Sequence, residues 1–217
     1  MNLDELNIKY AKLTPEERVA ELYKDFPPEK VLFTSSFGTT AAILLHMVSK
    51  VNPKQVIHFL DTTYHFPETQ LYKNLLKEQL HLNVQDVLPE TWKNEFTKTD
   101  ETWKKDPDLC CSINKVEPLD VIKPNYDIWI SGLMSSQNTF RKSLNVFEKK
   151  DGIIKFYPII DFKAEDAAAY FEKFSLPKHP LEAQGYSSIG CTHCTIKGKG
   201  REGRWINKNK SECGLHT

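Results

Sequence analysis

Short β-prone runs alternate with helical stretches along most of this chain, and that alternation limits it to few folds. The strand-like runs are 30–34, 55–60, 83–88, 127–132 and 153–160. The first two are each followed by a helical stretch, over 41–48 and 67–80. Strands that alternate with helices form parallel βαβ units. The pattern therefore predicts an α/β fold with a parallel sheet whose ligands bind at the carboxyl ends of the strands.

The two ends of the chain differ from this repeating part. Residues 1–28 form a helical segment, in which Thr14 followed by Pro15 and two glutamates is typical of a helix start. Residues 185–217 are rich in Gly, Lys, Ser and Cys and have little apolar periodicity. Such a tail cannot form much core of its own, so it is flexible unless something bound orders it. We expect one domain over residues 1–217.

Charge and hydropathy exclude some partners. The chain has 29 Lys and Arg against 29 Asp and Glu, so its formal net charge is zero. Broad binding to nucleic acid or to an anionic membrane rests on an excess of basic residues. The sequence also has no apolar run long enough to span a bilayer, and it starts with an acidic, polar segment. We expect a cytoplasmic protein that binds neither membrane nor nucleic acid.

Four of the five cysteines fall into two pairs, Cys110-Cys111 and Cys191-x-x-Cys194. An odd number grouped in this way does not resemble a secreted disulfide framework and favours metal binding or catalysis. The C-x-x-C pair alone fits zinc, an iron-sulfur cluster or a redox dithiol. Adjacent residues at a helix start, where we place Cys110 and Cys111, point about 100° apart, so the two thiols converge poorly on one small ion. We therefore predict a 4Fe-4S cluster on these four thiols, with zinc second and structural cysteines third.

The fifth cysteine, Cys213, belongs to neither pair. A thiol attacks as its thiolate, which cationic neighbours favour, and Lys210, Arg201, Arg204 and His216 are close in sequence. The alternative is a stray thiol on a frayed terminus. We predict that Cys213 is a nucleophile.

A polar loop over 35–40 joins the first predicted strand to the first apolar helix. Its hydroxyls and backbone N–H groups, placed at a helix N-terminus, suit a phosphate or sulfate group. The G-x-x-x-x-G-K-[ST] spacing of a Walker loop is absent. The loop resembles that of the adenine nucleotide α-hydrolase group but lacks the second glycine and the aspartate of its ATP-cleaving members. This departure favours a protein that only holds the anionic end of a nucleotide.

An ordered set of motifs from about residue 31 to the C-terminus resembles the assimilatory adenylyl-sulfate reductases. The motifs are Ser35-Ser36-Phe37-Gly38, Leu60-Asp61-Thr62, Phe66-Pro67-Glu68-Thr69, Cys110-Cys111 with Lys115-Val116-Glu117-Pro118-Leu119, Ser131-Gly132-Leu133 with Gln137 and Arg141, Tyr157-Pro158-Ile159-Ile160-Asp161, His179-Pro180-Leu181, Cys191-x-x-Cys194, Arg201-Glu202-Gly203-Arg204-Trp205 and Glu212-Cys213-Gly214-Leu215-His216. The resemblance implies a Rossmann-like fold of the adenine nucleotide α-hydrolase type. It also implies reduction of adenylyl sulfate to sulfite and AMP through an S-sulfocysteine on the terminal cysteine, with thioredoxin or glutaredoxin as reductant.

The resemblance also implies roles for individual residues. Ser35, Ser36, Phe37 and Gly38 would hold the anionic end of the substrate, and Leu60, Asp61 and Gly132 would lie beside the adenosine. The cations that screen the approaching thiolate and the leaving group would be Lys115, Arg141, Arg201, Arg204 and His216. Each of these cations alone is equally typical of a solvated surface, and Asp61 is equally typical of a turn cap.

Two alternatives stay open. Members of the family often carry Arg-Arg after the Gly-Leu turn, where this chain has Met134-Ser135, so the substrate could also be 3′-phosphoadenylyl sulfate, or both nucleotides. The second alternative is a non-catalytic, zinc-binding nucleotide module in which Cys213 has no role. A homo-oligomer is compatible with either.

Overall fold

A mostly parallel six-stranded sheet lies at the centre of this computed structural model, which describes residues 2–206, 210 and 212–215. The strands are β1 (Val31–Thr34), β2 (Val56–Leu60), β3 (Asn83–Val87), β4 (Ile128–Ile130), β5 (Phe147–Lys150) and β6 (Ile153–Phe156). Their order across the sheet is β3-β2-β1-β4-β6-β5, and only the β5–β6 pair is antiparallel. The predicted parallel α/β fold is confirmed.

Helices cover both faces of the sheet. They are α1 (Leu3–Tyr10), α2 (Pro15–Asp25), α3 (Ala41–Val51), α4 (Pro67–Gln79), α5 (Thr91–Thr99), α6 (Thr102–Lys105), α7 (Pro107–Cys111), α8 (Glu117–Ile122) and α9 (Ala164–Lys173). The helix start predicted at Thr14 is present, because its hydroxyl accepts from the N–H of Glu17 while the Glu17 carboxylate accepts from the N–H of Thr14. Among the described residues, no helix is long and apolar enough to cross a membrane.

The central strands are buried on both faces, which explains why they read as continuous apolar runs. In β1, Val31 and Phe33 belong to the main core with α3, whereas Leu32 points to a second core under α8. In β4 the same alternation places Trp129 in the second core. The main core therefore fills one side of the sheet, and a smaller apolar layer fills the other.

The strand order reverses beside β1. The chain passes from β1 to β2 to β3 on one side and then crosses to β4 on the other. In an open α/β sheet, a crevice forms at such a switch point outside the carboxyl ends of the strands. The expected ligand site therefore lies where β1 and β4 end, at Ser35 and Ser131.

A hairpin at the sheet edge was absent from the sequence prediction. Strand β5 pairs with β6 through the two-residue turn Asp151-Gly152, and both turn residues have positive φ. Such turns match the natural twist of paired strands, and Asp-Gly is a typical sequence for them. The Asn7 side chain bonds both the N–H and the carbonyl of Phe147. Helix α1 thereby protects part of the exposed edge.

We expect His179 to make the protein sensitive to acid. Its side chain is only 1 % exposed, and burial lowers its pKa to about 4. The unfolded chain therefore takes up a proton between about pH 6.5 and 4 that the folded chain does not, so stability falls as the pH falls through this range. In His179→Asn, the free energy of unfolding should fall by about 3 kcal/mol less over this pH range than in the unchanged protein.

Denaturant titrations between pH 7 and 4 would measure the effect. His81→Asn is the matched control, because His81 is exposed and its backbone conformation suits asparagine. Parallel pH profiles for His179→Asn and the unchanged protein would contradict the prediction.

Candidate active site

A cavity occupies the switch point of the sheet. Its floor consists of the ends of β1, β2 and β4. Residues late in the chain form much of its wall, namely Ser188, Ile189, Gly190, Arg201, Arg204, Trp205, Glu212, Cys213 and Leu215. The predicted site residues that line it are Ser35, Ser36, Gly38, Leu60, Lys115, Gly132, Arg141, Arg201, Arg204 and Cys213. Predicted residues from both ends of the chain therefore meet around one space.

The loop after β1 leads into a helix terminus that is open to the cavity. Thr39, Thr40 and Ala41 at the start of α3 line the cavity, and no described side chain caps this helix terminus. The first N–H groups of a helix lack intrahelical partners and carry partial positive charge. The first turn of α3 also has no acidic residue. An anionic ligand in the cavity would complete this terminus, as the sequence predicted.

Two predicted site residues do not line the cavity. Phe37 is completely buried and packs edge-on against Phe59, at 5.6 Å between ring centroids. Its left-handed backbone (φ 48°) turns the loop, while its side chain anchors the loop in the core. The Asp61 carboxylate accepts from the N–H of Thr63 at 2.8 Å and from the Gln70 amide at 3.2 Å. Asp61 therefore acts as a turn cap, the alternative that the sequence left open, and His216 lies outside the described residues.

The described part of the 185–217 tail is packed against the domain rather than extended from it. Short bridges pair Tyr186 with Gly198 and Thr195 with Arg204, and the N–H of Ile196 donates to the carbonyl of Gly203 at 2.8 Å. A Cβ at Gly203 would overlap the carbonyl oxygen of Ile196, so the turn requires glycine. This folded turn returns the chain to the cavity and explains how arginines so late in the sequence reach it.

Arg204 fills the space next to Gly190. Its Nη1 donates to the carbonyl of Ile189 at 3.2 Å and to the Ser188 hydroxyl at 3.4 Å. A Cβ at Gly190 would overlap the guanidinium, so this glycine leaves room for the arginine at the cavity wall. Arg204 also lies 4.3 Å from the ring centroid of Trp205, which supports its position through a cation–π contact.

The paired cysteines come together beside the cavity. Cys110 and Cys111 end helix α7, and a π-helical turn over Ser112–Val116 follows them. The backbone of Cys191 forms an isolated β-bridge with His65, on the segment after β2. Cys194 is the last residue of the short turn Thr192–Cys194. Tyr64 and Trp103 pack against these thiols. The sequence placed the first pair at a helix start, whereas the structure places it at a helix end.

The four thiols influence one another electrostatically. Burial, together with charge on the other three, raises the pKa of Cys110 to about 12. Burial and charge on Cys191 and Cys111 raise the pKa of Cys194 to about 11. None of the five cysteines forms a disulfide. In three of the four thiols, burial and the charge of neighbouring cysteines oppose ionisation. A bound cation or cluster would take up the thiolate charge at such a site.

Lys115 lies between these thiols and the cavity. Burial alone would lower its pKa, but negative charge on Cys191, Cys213 and Cys111 outweighs burial and raises it. For Cys191, burial favours the thiol, whereas Lys115, the Thr62 hydroxyl at 3.3 Å and Arg204 lower the pKa. One lysine therefore sits within reach of two paired cysteines and of Cys213, as expected for a cation shared between the two sites.

The arrangement of the four cysteines bears on the two predicted metals. Within the described ranges, no group of three or more His, Cys, Asp and Glu side chains has the grouping required by a single metal ion. Thiolate ligands bound to separate irons of a larger cluster do not need to converge on one point. The buried indole N–H of Trp205 also has no partner among the described residues, although its backbone N–H donates to the carbonyl of Cys194. The four free cysteines on two segments supply the thiolate donors that either a 4Fe-4S cluster or zinc would use.

Two residues of the cavity were quoted in the motifs without being assigned to the site. Trp205 is 4 % exposed and has a left-handed backbone (φ 48°), which is uncommon for a bulky side chain. Glu212 is buried, and its pKa is lowered because Arg141, Arg201 and Asn138 outweigh burial, which alone would raise it. In the sequence, the one feature that could have assigned Trp205 and Glu212 to the site is their position next to Arg204 and Cys213.

Comparison with known proteins identifies the family of this chain. Residues 30–197 match the phosphoadenosine phosphosulfate reductase domain. Proteins named adenosine 5′-phosphosulfate reductase from Bacillus cereus (strain 03BB102) and Bacillus mycoides (strain KBAB4) are each 38 % identical over 203 residues, covering 89 % of this chain and 86 % and 85 % of theirs.

Solved structures resemble the chain as well. The phosphoadenylyl-sulfate reductase of Candida auris in a phosphate complex has a TM-score of 0.78 at 28 % identity, over 89 % of this chain and 95 % of that one. Yeast FAD synthetase with FAD has a TM-score of 0.62 at 13 % identity, over 89 % and 67 % respectively, and shares the fold alone.

Proposed function

The chain belongs to the phosphoadenosine phosphosulfate reductase family, whose members are enzymes of sulfate reduction, and we propose that it reduces adenylyl sulfate to sulfite and AMP. The observation that carries the proposal is the meeting of Cys213, Lys115, Arg201 and Arg204 around the cavity that the anion loop closes. A nucleophilic thiol, a set of cations and an anion site in one space are what such a displacement requires.

In the proposed reaction, the Cys213 thiolate attacks the sulfur of adenylyl sulfate. A sulfur–sulfur bond forms, the bond from that sulfur to the bridging phosphate oxygen breaks, and AMP leaves with its electron pair. One thiol of a dithiol then attacks the Cys213 sulfur, which releases sulfite and leaves a mixed disulfide. The second thiol breaks this bond and returns the Cys213 thiolate, so the dithiol becomes a disulfide and supplies the two electrons. We propose a thioredoxin or glutaredoxin as this dithiol and a cytoplasmic setting that keeps it reduced.

The cations of the cavity act on charge in this scheme. Arg201 and Arg204 would hold the sulfate and phosphate oxygens while negative charge moves to the departing AMP. Lys115, which is influenced by the charge on Cys213 and on Cys191, would screen the approach of one anion to another. Ser35, Ser36 and Gly38 would orient the phosphate against the start of α3.

We propose that Cys110, Cys111, Cys191 and Cys194 hold a 4Fe-4S cluster. Bound there, it would join α7 to the Thr192–Cys194 turn of the tail and would place its charge beside Lys115. The burial of the thiols and their effect on one another's pKa support this assignment. Zinc is the alternative metal.

The 3′-phosphorylated nucleotide is the alternative substrate. The Candida auris relative that is named for it favours it, whereas the more similar Bacillus relatives are named for the unphosphorylated one. Met134, which replaces an arginine often found in the family, is buried and offers no charge to a 3′-phosphate. We therefore favour adenylyl sulfate.

Mass spectrometry without reductant tests the proposal. Protein mixed with adenylyl sulfate should gain the mass of one SO₃ group on the peptide that contains Cys213 and should release one equivalent of AMP. A parallel mixture with 3′-phosphoadenylyl sulfate should form the adduct much more slowly. An adduct on a different cysteine, or none at all with either nucleotide, would contradict the proposed chemistry.

A further inference from the structure

The segment that carries Cys213 is fixed on both sides of the cysteine. On one side, the Glu212 carboxylate is 3 % exposed and accepts from Arg141 Nε at 2.7 Å and Nη2 at 2.9 Å. It also accepts from the Asn138 amide at 2.7 Å and from Arg201 Nη2 at 3.2 Å. A buried carboxylate with this many charge-assisted bonds holds its backbone tightly.

On the other side, the carbonyl of Leu215 accepts from Lys155 Nζ at 2.9 Å. The Leu215 side chain packs against the smaller core layer, which contains Leu60 and Trp129. The second contact begins two residues after Cys213. Cys213 therefore lies between two fixed residues. Glu212 is held by ion pairs, and Leu215 is held by a hydrogen bond and by apolar packing.

Lys155 is an unusual residue for a β-strand core. It is 2 % exposed in β6, and its ammonium lies 4.8 Å from the ring centroid of Trp129. Within the described chain, the carbonyl of Leu215 is its one recorded hydrogen-bond acceptor. Burying an ammonium group is costly. The Trp129 ring offsets part of this cost, and the hydrogen bond to Leu215, which also offsets it, fixes the tail.

The geometry of Arg141 changes the role that the sequence gave it. Its Nε and Nη2 are both directed to Glu212, its Nη1 donates to Gln137, and the residue is 5 % exposed. The edge of the guanidinium that would bind a sulfate or phosphate in a bidentate manner is occupied by a carboxylate of the same chain. Arg141 is therefore better placed to hold Glu212 than to hold substrate.

We propose that Glu212 with Arg141, and Lys155 with Leu215, form a clamp that sets the position of Cys213 over the nucleotide cavity. These are positioning residues, because they act on the reaction through Cys213. The catalytic consequence rests on the proposed function, whereas the docking of the tail does not. A nucleophile must approach its target in the correct geometry, and an error of about 1 Å can reduce the rate by about a hundredfold.

The test uses two single variants, Glu212→Gln and Lys155→Met, each made in the full-length, metal-loaded protein. Glutamine keeps the size of Glu212 without its charge, and methionine keeps the apolar stem of Lys155 without its donor. The matched controls are Glu202→Gln and Lys149→Met, since both residues are exposed. The first readout is amide hydrogen exchange of the peptide over 210–217 without substrate, and the second separates kcat from the KM for adenylyl sulfate.

In both anchor variants, the amides of this peptide should exchange faster and kcat should fall by about ten- to a hundredfold. The affinity for AMP and the KM should equal those of the unchanged protein. Both controls should behave like the unchanged protein. Because the anchors lie at different places, the shared result does not depend on one variant folding well.

Two outcomes would overturn the clamp. One is normal exchange and normal kcat in both anchor variants of a protein that does form the S-sulfo adduct. The other is normal exchange with a loss of AMP affinity in Glu212→Gln, which would place Glu212 in substrate binding. Failure of the unchanged protein to form the adduct would refute the proposed function instead, and the exchange result would still decide whether the tail is clamped.

Discussion

Replacing Cys213 with serine is expected to reduce sulfite formation by at least about 10³-fold, because the variant loses its attacking group. A hydroxyl ionises at far higher pH than a thiol and is a poor nucleophile toward sulfur without a general base. Serine has nearly the same size, so Glu212 and Leu215 should still hold the segment in place. Steady-state turnover with a dithiol reductant would measure the loss.

The same variant should keep everything except the chemistry. Its iron content and its affinity for AMP should equal those of the unchanged protein, since Cys213 belongs to neither cysteine pair. The S-sulfo adduct should be absent from the 210–217 peptide. Appreciable turnover, or loss of iron, would show that Cys213 is not the attacking group and would transfer that role to one of the paired cysteines.

Local patterns predicted the central strands well because those strands are buried on both faces. In the run 127–132, three apolar residues stand between Asp127 and Ser131-Gly132, and these three form the strand Ile128–Ile130. The edge strand β5 was missed because Phe147–Lys150 includes a glutamate and two lysines and is half solvated. Only the Asp151-Gly152 turn marked the hairpin, and that signal depends on pairing with β6.

The site was predicted in its composition but not in its internal contacts. Resemblance identified the segments around Lys115, Arg204 and Cys213, which the fold brings to one cavity. It could not show that Arg141 is held by Glu212, because these residues are 71 positions apart and no local rule connects them. Nor could it show that the Phe37 ring lies in the core, since a loop sequence does not specify which way a side chain points.

A second large effect is expected from the paired cysteines. Protein purified without oxygen should contain about four irons per chain and absorb visible light. Cys111→Ser on α7 and Cys194→Ser on the distant turn should each lose most of the iron, the colour and the activity, because each removes one ligand of the same cluster. Iron analysis and the visible spectrum measure the result, and Cys213→Ser is the control that should stay coloured.

The two ligand variants together test whether one cluster joins both segments, which neither variant alone can do. Cys111 and Cys194 lie on separate segments, and Lys115 is influenced by the charge of the first pair and of the second. If one cluster joins both segments, removing a thiol from either should also release the tail and speed amide exchange over 210–217. Stoichiometric zinc with full activity and no iron would refute the cluster. Loss of iron in only one variant would mean that the pairs serve different purposes, and Lys115 would then need another explanation for its position between them.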